Sequence, residues 1–201
     1  MTDTLASPLP LERSHAGIVP HQVMGVLTFI LADIVVFGMI FVDFLVQRYD
    51  QLAVFNESSA TLNNWTGIIN TLILLTSGLF VALAVQAAKR GEARQARSWI
   101  LASFVIGLGF GITKMFEYSD KLSQGITMYT NDFYMFYYTM TGAHFLHFIG
   151  GMIALATLWF MLNDKKVGSK QLVNIESVAL YWHMVDLLWI FIFPLLYLMG
   201  V

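Results

Sequence analysis

The chain has 201 residues, 57% of them hydrophobic and only 12% charged, with a net charge of −2. A soluble domain carries about 25% charged residues, so most of this surface must face lipid, and no basic surplus marks it for nucleic acid. Cysteine is absent, which excludes disulfides, iron–sulfur clusters and thiolate-bound copper within the chain.

Residues 1–21 read as a polar, proline-punctuated tail with a single Arg, Arg13. The tail lacks the cationic start, short apolar run and small-residue cleavage site of a signal peptide. The first apolar run is therefore expected to stay in the mature protein. Five runs have the roughly 20 apolar residues that span a bilayer core: 22–46, 67–88, 98–120, 133–162 and 178–200. Inside lipid every backbone amide needs a partner, so each run is predicted to be a helix. The expected fold is an all-α bundle of five transmembrane helices over 22–201, with polar connections at 47–66, 89–97, 121–132 and 163–177.

Lys and Arg collect on the cytoplasmic side of a membrane protein. With five spans, the N-terminus and the second and fourth connections share a side, which holds Arg13, Lys89, Arg90, Arg94, Arg97, Lys165, Lys166 and Lys170. The opposite side holds Arg48 and Lys121. That asymmetry predicts a cytoplasmic N-terminus and an external C-terminus.

An ionisable side chain at membrane depth is costly, faces inward and usually has a role. Asp33, in the middle of the first span, is either a hydrogen-bonded carboxyl joining two helices or a proton-handling or partner-contacting acid. In the third span Lys114, Glu117 and Lys121 share one helical face, where Glu117 can pair with both lysines. This set reads as an interfacial ion-pair cluster with snorkelling lysines, or as part of a substrate path.

His144 and His147 lie one turn apart in the fourth span. His183 and Asp186 do so in the fifth, with Glu176 two turns earlier on the same face. Imidazole and carboxylate suit a transition metal, but the Glu-x-x-His pairs of di-iron bundles are missing. The expected role of these histidines is interhelical hydrogen bonding, with no metal bound. Gly107 and Gly111, Ser77–Gly78 and Gly150–Gly151 are read as close-packing positions. Pro194 is expected to kink the last helix, and Trp65, Trp99 and Tyr129 to anchor at the interfaces.

Several stretches together carry a resemblance. Glu176 followed by Tyr181-Trp182-His183-Met184-Val185-Asp186-Leu187-Leu188-Trp189 resembles the last helix of subunit III of heme-copper oxidases. Thr141-Gly142-Ala143-His144-Phe145-Leu146-His147 is similar to that family's Gly-x-His-x-x-His helix. Asn70-Thr71 with Leu75-Thr76-Ser77-Gly78 resembles its Asn-Thr…Ser-Gly helix, and Glu117-Tyr118 its Glu-Tyr pair. Asp33 stands where the family usually has a membrane-embedded glutamate.

The likeness runs in order over all five spans and implies a non-catalytic accessory subunit. Such a subunit packs against a heme-binding catalytic subunit I, stabilises it and helps sustain proton uptake. It implies no cofactor in this chain, with heme and copper or non-heme iron in the partner. Asn70, His144, His147, Glu176, His183 and Asp186 would form an interhelical polar network, while Asp33, Glu117 and Lys114 are the candidates for proton handling or partner contact.

The longest family members have two further helices that wall a lipid-holding cleft. With those helices missing here, phospholipid stays a candidate ligand only. Lys114-x-x-Glu117-Tyr118-x-x-Lys121, with Asn131-Asp132-Phe133-Tyr134-x-Phe136-Tyr137, looks most like the five-helix accessory subunit of nitric oxide reductases. Subunit III of a cytochrome c or quinol oxidase is the alternative. The resemblance places the chain in a bacterial inner membrane. Two other classes stand beside it: a stand-alone proton or ion transporter, which would show repeats or broken helices, and a di-metal membrane enzyme using the histidines.

Overall fold

Over residues 21–162 and 167–199, which the computed structural model describes, the regular structure is entirely helical. The elements are α1 (His21–Asp50), α2 (Leu52–Ala60), α3 (Asn64–Lys89), α4 (Ala93–Ser123), α5 (Asp132–Met161) and α6 (Ser169–Phe193). A π-helical turn, Pro194–Leu198, continues α6. Five helices are long and apolar enough to cross a membrane: α1, α3, α4, α5, and α6 together with its π-turn. The chain is thus a multi-pass all-α membrane protein. The polar tail, with Arg13 and His15, and the lysines Lys165 and Lys166 lie outside the described residues.

Local sequence sets the helix ends. The Asn63 side chain accepts the Trp65 N–H at 3.0 Å and opens α3, and Asn131 accepts the Tyr134 N–H at 3.0 Å and opens α5. Both satisfy an amide the first turn cannot pair internally. Gly91, at φ +78°, makes the turn from α3 into α4, a left-handed conformation that costs glycine nothing.

The helices run up to five residues past most of the apolar runs, and two departures from the hydropathy reading are larger. The fifth span starts at Ser169 rather than 178, because the polar Ser169–Ser177 stretch continues the helix beyond the apolar run. Its first turn is tied by the Gly168 N–H donating to Gln171 Oε1 at 2.8 Å. The 47–66 connection contains α2, held by Phe55. The Phe55 ring lies 5.3 Å from Phe44, 5.7 Å from Phe133 and 6.4 Å from Phe136.

Helices α3, α4, α5 and α6 form an antiparallel ring in which each packs on the next and α6 closes on α3. Helix α1 lies outside this ring against α6 and α5. Much of α1 is bare: Leu31, Val35, Met39 and Val42 are exposed, while Phe37 and Phe44 are buried. Small residues let the ring close. Ser77 of α3 meets Ser103 of α4 at 2.8 Å between hydroxyls. Gly151 of α5 lies under the Trp182 ring, where a Cβ would come within 2.6 Å of it. Gly107 faces Met152 and Trp182, and Gly111 faces Phe148, so this glycine pair receives side chains rather than a second backbone.

Candidate functional site

Pro194 has no N–H to donate, and its ring crowds the preceding turn. The helix there widens into the π-turn, which buries Tyr197. π-turns inside helices are frequent where a side chain must be re-aimed. Lys114 of α4 donates to the Tyr197 hydroxyl at 2.7 Å and to Glu117 at 3.2 and 3.3 Å. Tyr137 of α5 donates to Glu117 Oε1 at 2.6 Å, and Tyr197 donates to the same oxygen.

The Lys114 ammonium also lies 4.9 Å from the Trp189 ring, 5.3 Å from Tyr197, 5.4 Å from Tyr137 and 5.7 Å from Tyr118. A cation is attracted to such ring faces, more strongly when desolvated. The Lys114 side chain is only 1% exposed, so it does not snorkel to an interface as the sequence reading allowed. Lys121 departs from expectation too. Its ammonium donates to the Thr61 carbonyl at 2.9 Å, so Glu117 pairs with Lys114 and not with both lysines. Glu117 also borders an open groove of about 330 Å³ shared with Thr61, Asp120 and Lys121.

A second polar pair joins α1 to α5. Asp33 Oδ2 is 3.0 Å from His147 Nε2, while His147 Nδ1 faces the Ala143 carbonyl at 2.8 Å. A carbonyl only accepts, so Nδ1 carries a proton. The Nε2 approach brings a carboxyl and an imidazole together across the α1–α5 contact without forming a hydrogen bond at Asp33 Oδ2. Phe29 and Phe37 pack on the imidazole.

The remaining expected residues form separate contacts, not one network. His144, fully buried between Phe110 and Trp189, donates through Nε2 to the Val185 carbonyl at 3.0 Å. Asn70 accepts from Thr113. Glu176 does not join His183; it pairs with Lys89 at 3.0 Å and ties α3 to the start of α6. His183 Nδ1 stands 3.7 Å from Asp186 Oδ2, beyond hydrogen-bond reach. Asp186 in turn lies against α3 where Gly78 has no Cβ. Among the described residues no group of three His, Asp or Glu side chains is placed to hold a metal ion.

Sequence reasoning met Thr71, Thr141 and Tyr137 only inside motifs, with no role assigned, and passed over Tyr197 altogether. The Trp189 indole donates to Thr71 at 3.0 Å, and Tyr118 donates to Thr141 at 2.7 Å. A signal for them existed: a Tyr or Trp buried in an apolar span needs a partner for its polar tip.

This arrangement defines a class. It is a multi-pass helical membrane protein in which many buried polar groups bind one another and tie neighbouring helices together. The family model for cytochrome c oxidase subunit III matches residues 11–201. A cytochrome c oxidase subunit 3 from Thermostichus vulcanus is 30% identical over 181 residues, 89% of this chain and 87% of the relative. A probable cytochrome c oxidase subunit 3 from Mycobacterium bovis is 28% identical over 187 residues, 92% of each chain. A heme-copper oxidase subunit I+III from Aeropyrum pernix is 30% identical over 181 residues, 85% of this chain and 22% of that much longer one. The chain belongs to the cytochrome c oxidase subunit III family.

Proposed function

We propose that the chain is the accessory subunit III of an oxygen-reducing cytochrome oxidase in a bacterial inner membrane. In this reading it packs against the heme-carrying subunit I, stabilises that subunit and supports its proton uptake, with Asp33, Glu117 and Lys114 as the candidate proton-handling or partner-contact groups. The redox centres belong to the partner. The observation that supports this most is the match to proteins named cytochrome c oxidase subunit 3 over about nine-tenths of both chains. The subunit I+III relative, which carries the matching region inside one longer chain, favours subunit I as the partner.

The resemblance of the Lys114–Glu117–Tyr118 stretch and of Asn131–Tyr137 to a nitric oxide reductase accessory subunit supports a second reading, in which the complex reduces nitric oxide. The names of the relatives favour the oxidase. Purification through a tag on this chain from native membranes, followed by heme spectra, tests both. An a- or o-type heme in the complex is expected, whereas b- and c-type hemes together would transfer the chain to the second reading. A homo-oligomer with no heme protein attached would favour a transporter instead. Deleting the chain is expected to leave measurable catalysis with a lower yield of complex or shorter-lived turnover.

A further inference from the structure

Two grooves on opposite edges of the α3–α6 ring differ in chemistry. The groove between α4 and α5, about 420 Å³, is bordered by Leu108, Ile112, Met115 and Phe145 and suits a lipid chain. The groove between α3 and α6, about 300 Å³, is bordered by Gly78, Leu79 and Ala82 on one side and His183, Asp186 and Leu187 on the other.

His183 sits at the middle of the span Ser169–Leu198, yet its side chain is 47% exposed. Among the described residues it has no hydrogen bond, only the 3.7 Å approach to Asp186. Asp186 is buried, and its Oδ1 has no hydrogen-bond partner. A half-exposed imidazole beside an unsatisfied carboxyl is unfavourable against hydrocarbon, and polar groups at this depth regularly face protein. An acyl chain at the bilayer centre has no donor to offer. The Asp33–His147 pair differs in being covered: its members lie 3.0 Å apart and are only 15% and 20% exposed, whereas the His183 imidazole is turned out of the bundle.

We infer that the α3–α6 face centred on His183 and Asp186 is the surface on which the heme-carrying subunit docks, through a transmembrane helix that presents a hydrogen-bond-donating side chain at mid-membrane. Nδ1 of His183 then donates to Asp186, and Nε2 accepts from the partner helix. Leu79 and Leu187, exposed on either side of the groove, supply the apolar contact around that bond. Ala82, small and half-buried at the groove's edge, lets the incoming helix approach α3 closely.

This inference rests on the proposed membership of a heme-copper complex, and the test separates the two. A photo-crosslinking amino acid is placed at Leu79, at Leu187 and, as a control at equal depth in the opposite groove, at Leu108, in the full chain within its native membrane. Adducts with the heme-carrying subunit are expected from Leu79 and Leu187 and not from Leu108. His183→Leu, which alters an exposed side chain and spares the bundle core, is expected to lower the heme recovered per tagged chain about threefold to tenfold, the range one interhelical hydrogen bond supports. The amount of chain in the membrane should not change.

With heme protein co-purifying, four results each overturn the docking surface: no adduct from Leu79 and Leu187, equal adducts from Leu108, adducts to a second copy of this chain, or unchanged heme recovery in His183→Leu. Absence of any heme protein from the unmodified chain's complex overturns the underlying functional reading as well.

Discussion

The Lys114 ammonium of α4 and the Tyr197 hydroxyl of the terminal π-turn, 83 residues apart, meet at 2.7 Å with Glu117 bonded to both. The last turn of the chain is thereby tied to the third membrane span through a buried ion pair enclosed by aromatic rings. Such a pair gains little over an apolar substitute, but half of it alone is costly, because an uncompensated charge remains in the interior.

Lys114→Met is accordingly expected to destabilise the protein by about 3–5 kcal/mol. The double variant Lys114→Met/Glu117→Gln should recover most of that loss. Unfolding of the detergent-solubilised chain by denaturant measures both. Equal stability of the single and double variants would show that Glu117 finds another counter-charge.

Asp33 and His147 form a carboxyl–imidazole pair joining α1 to the bundle. Asp33→Leu and His147→Leu are each expected to cost about 1–3 kcal/mol by leaving a polar group unsatisfied. The double variant should cost clearly less than the sum, and Asp33→Asn, which keeps shape and hydrogen bonding, should preserve assembly. A double-mutant cycle reads the coupling, and strict additivity would mean that the contact contributes nothing.

Two glycines of α5 should respond oppositely to a methyl group. At Gly142 a Cβ meets nothing within 4 Å, while at Gly151 it meets the Trp182 ring. Gly142→Ala should stabilise the helix by roughly 0.5–1 kcal/mol through its better helix propensity. Gly151→Ala should cost about 1–3 kcal/mol, as overpacking does. Melting temperatures of the two variants check the signs.

The excess of basic residues at the end of the bundle that carries Lys89, Arg90, Arg94 and Arg97 predicts that this end faces the cytoplasm. A reporter inserted within 89–97 should read as cytoplasmic, and one fused after Val201 as external. Activity of the second reporter in the cytoplasm would invert the proposed sidedness.

The sequence by itself determined that this is a membrane bundle of five helices and which family it resembles. Apolar runs of bilayer length leave the backbone no partner but itself, so span and helix are one inference. The length of the last span and the existence of α2 required the tertiary structure. Ser169–Ser177 lacks the apolar signal, and α2 depends on Phe55 reaching Phe44, Phe133 and Phe136 on other helices.

The choice of partner for each polar residue was also beyond helical periodicity, which sets a face of one helix but not the rotation of its neighbours. That rotation comes from large-into-small packing such as Trp182 over Gly151 and Asp186 against Gly78. It gives His144 to the Val185 carbonyl, His147 to Asp33 and Lys121 to Thr61. The same rotation leaves His183 turned outward at the middle of the last span.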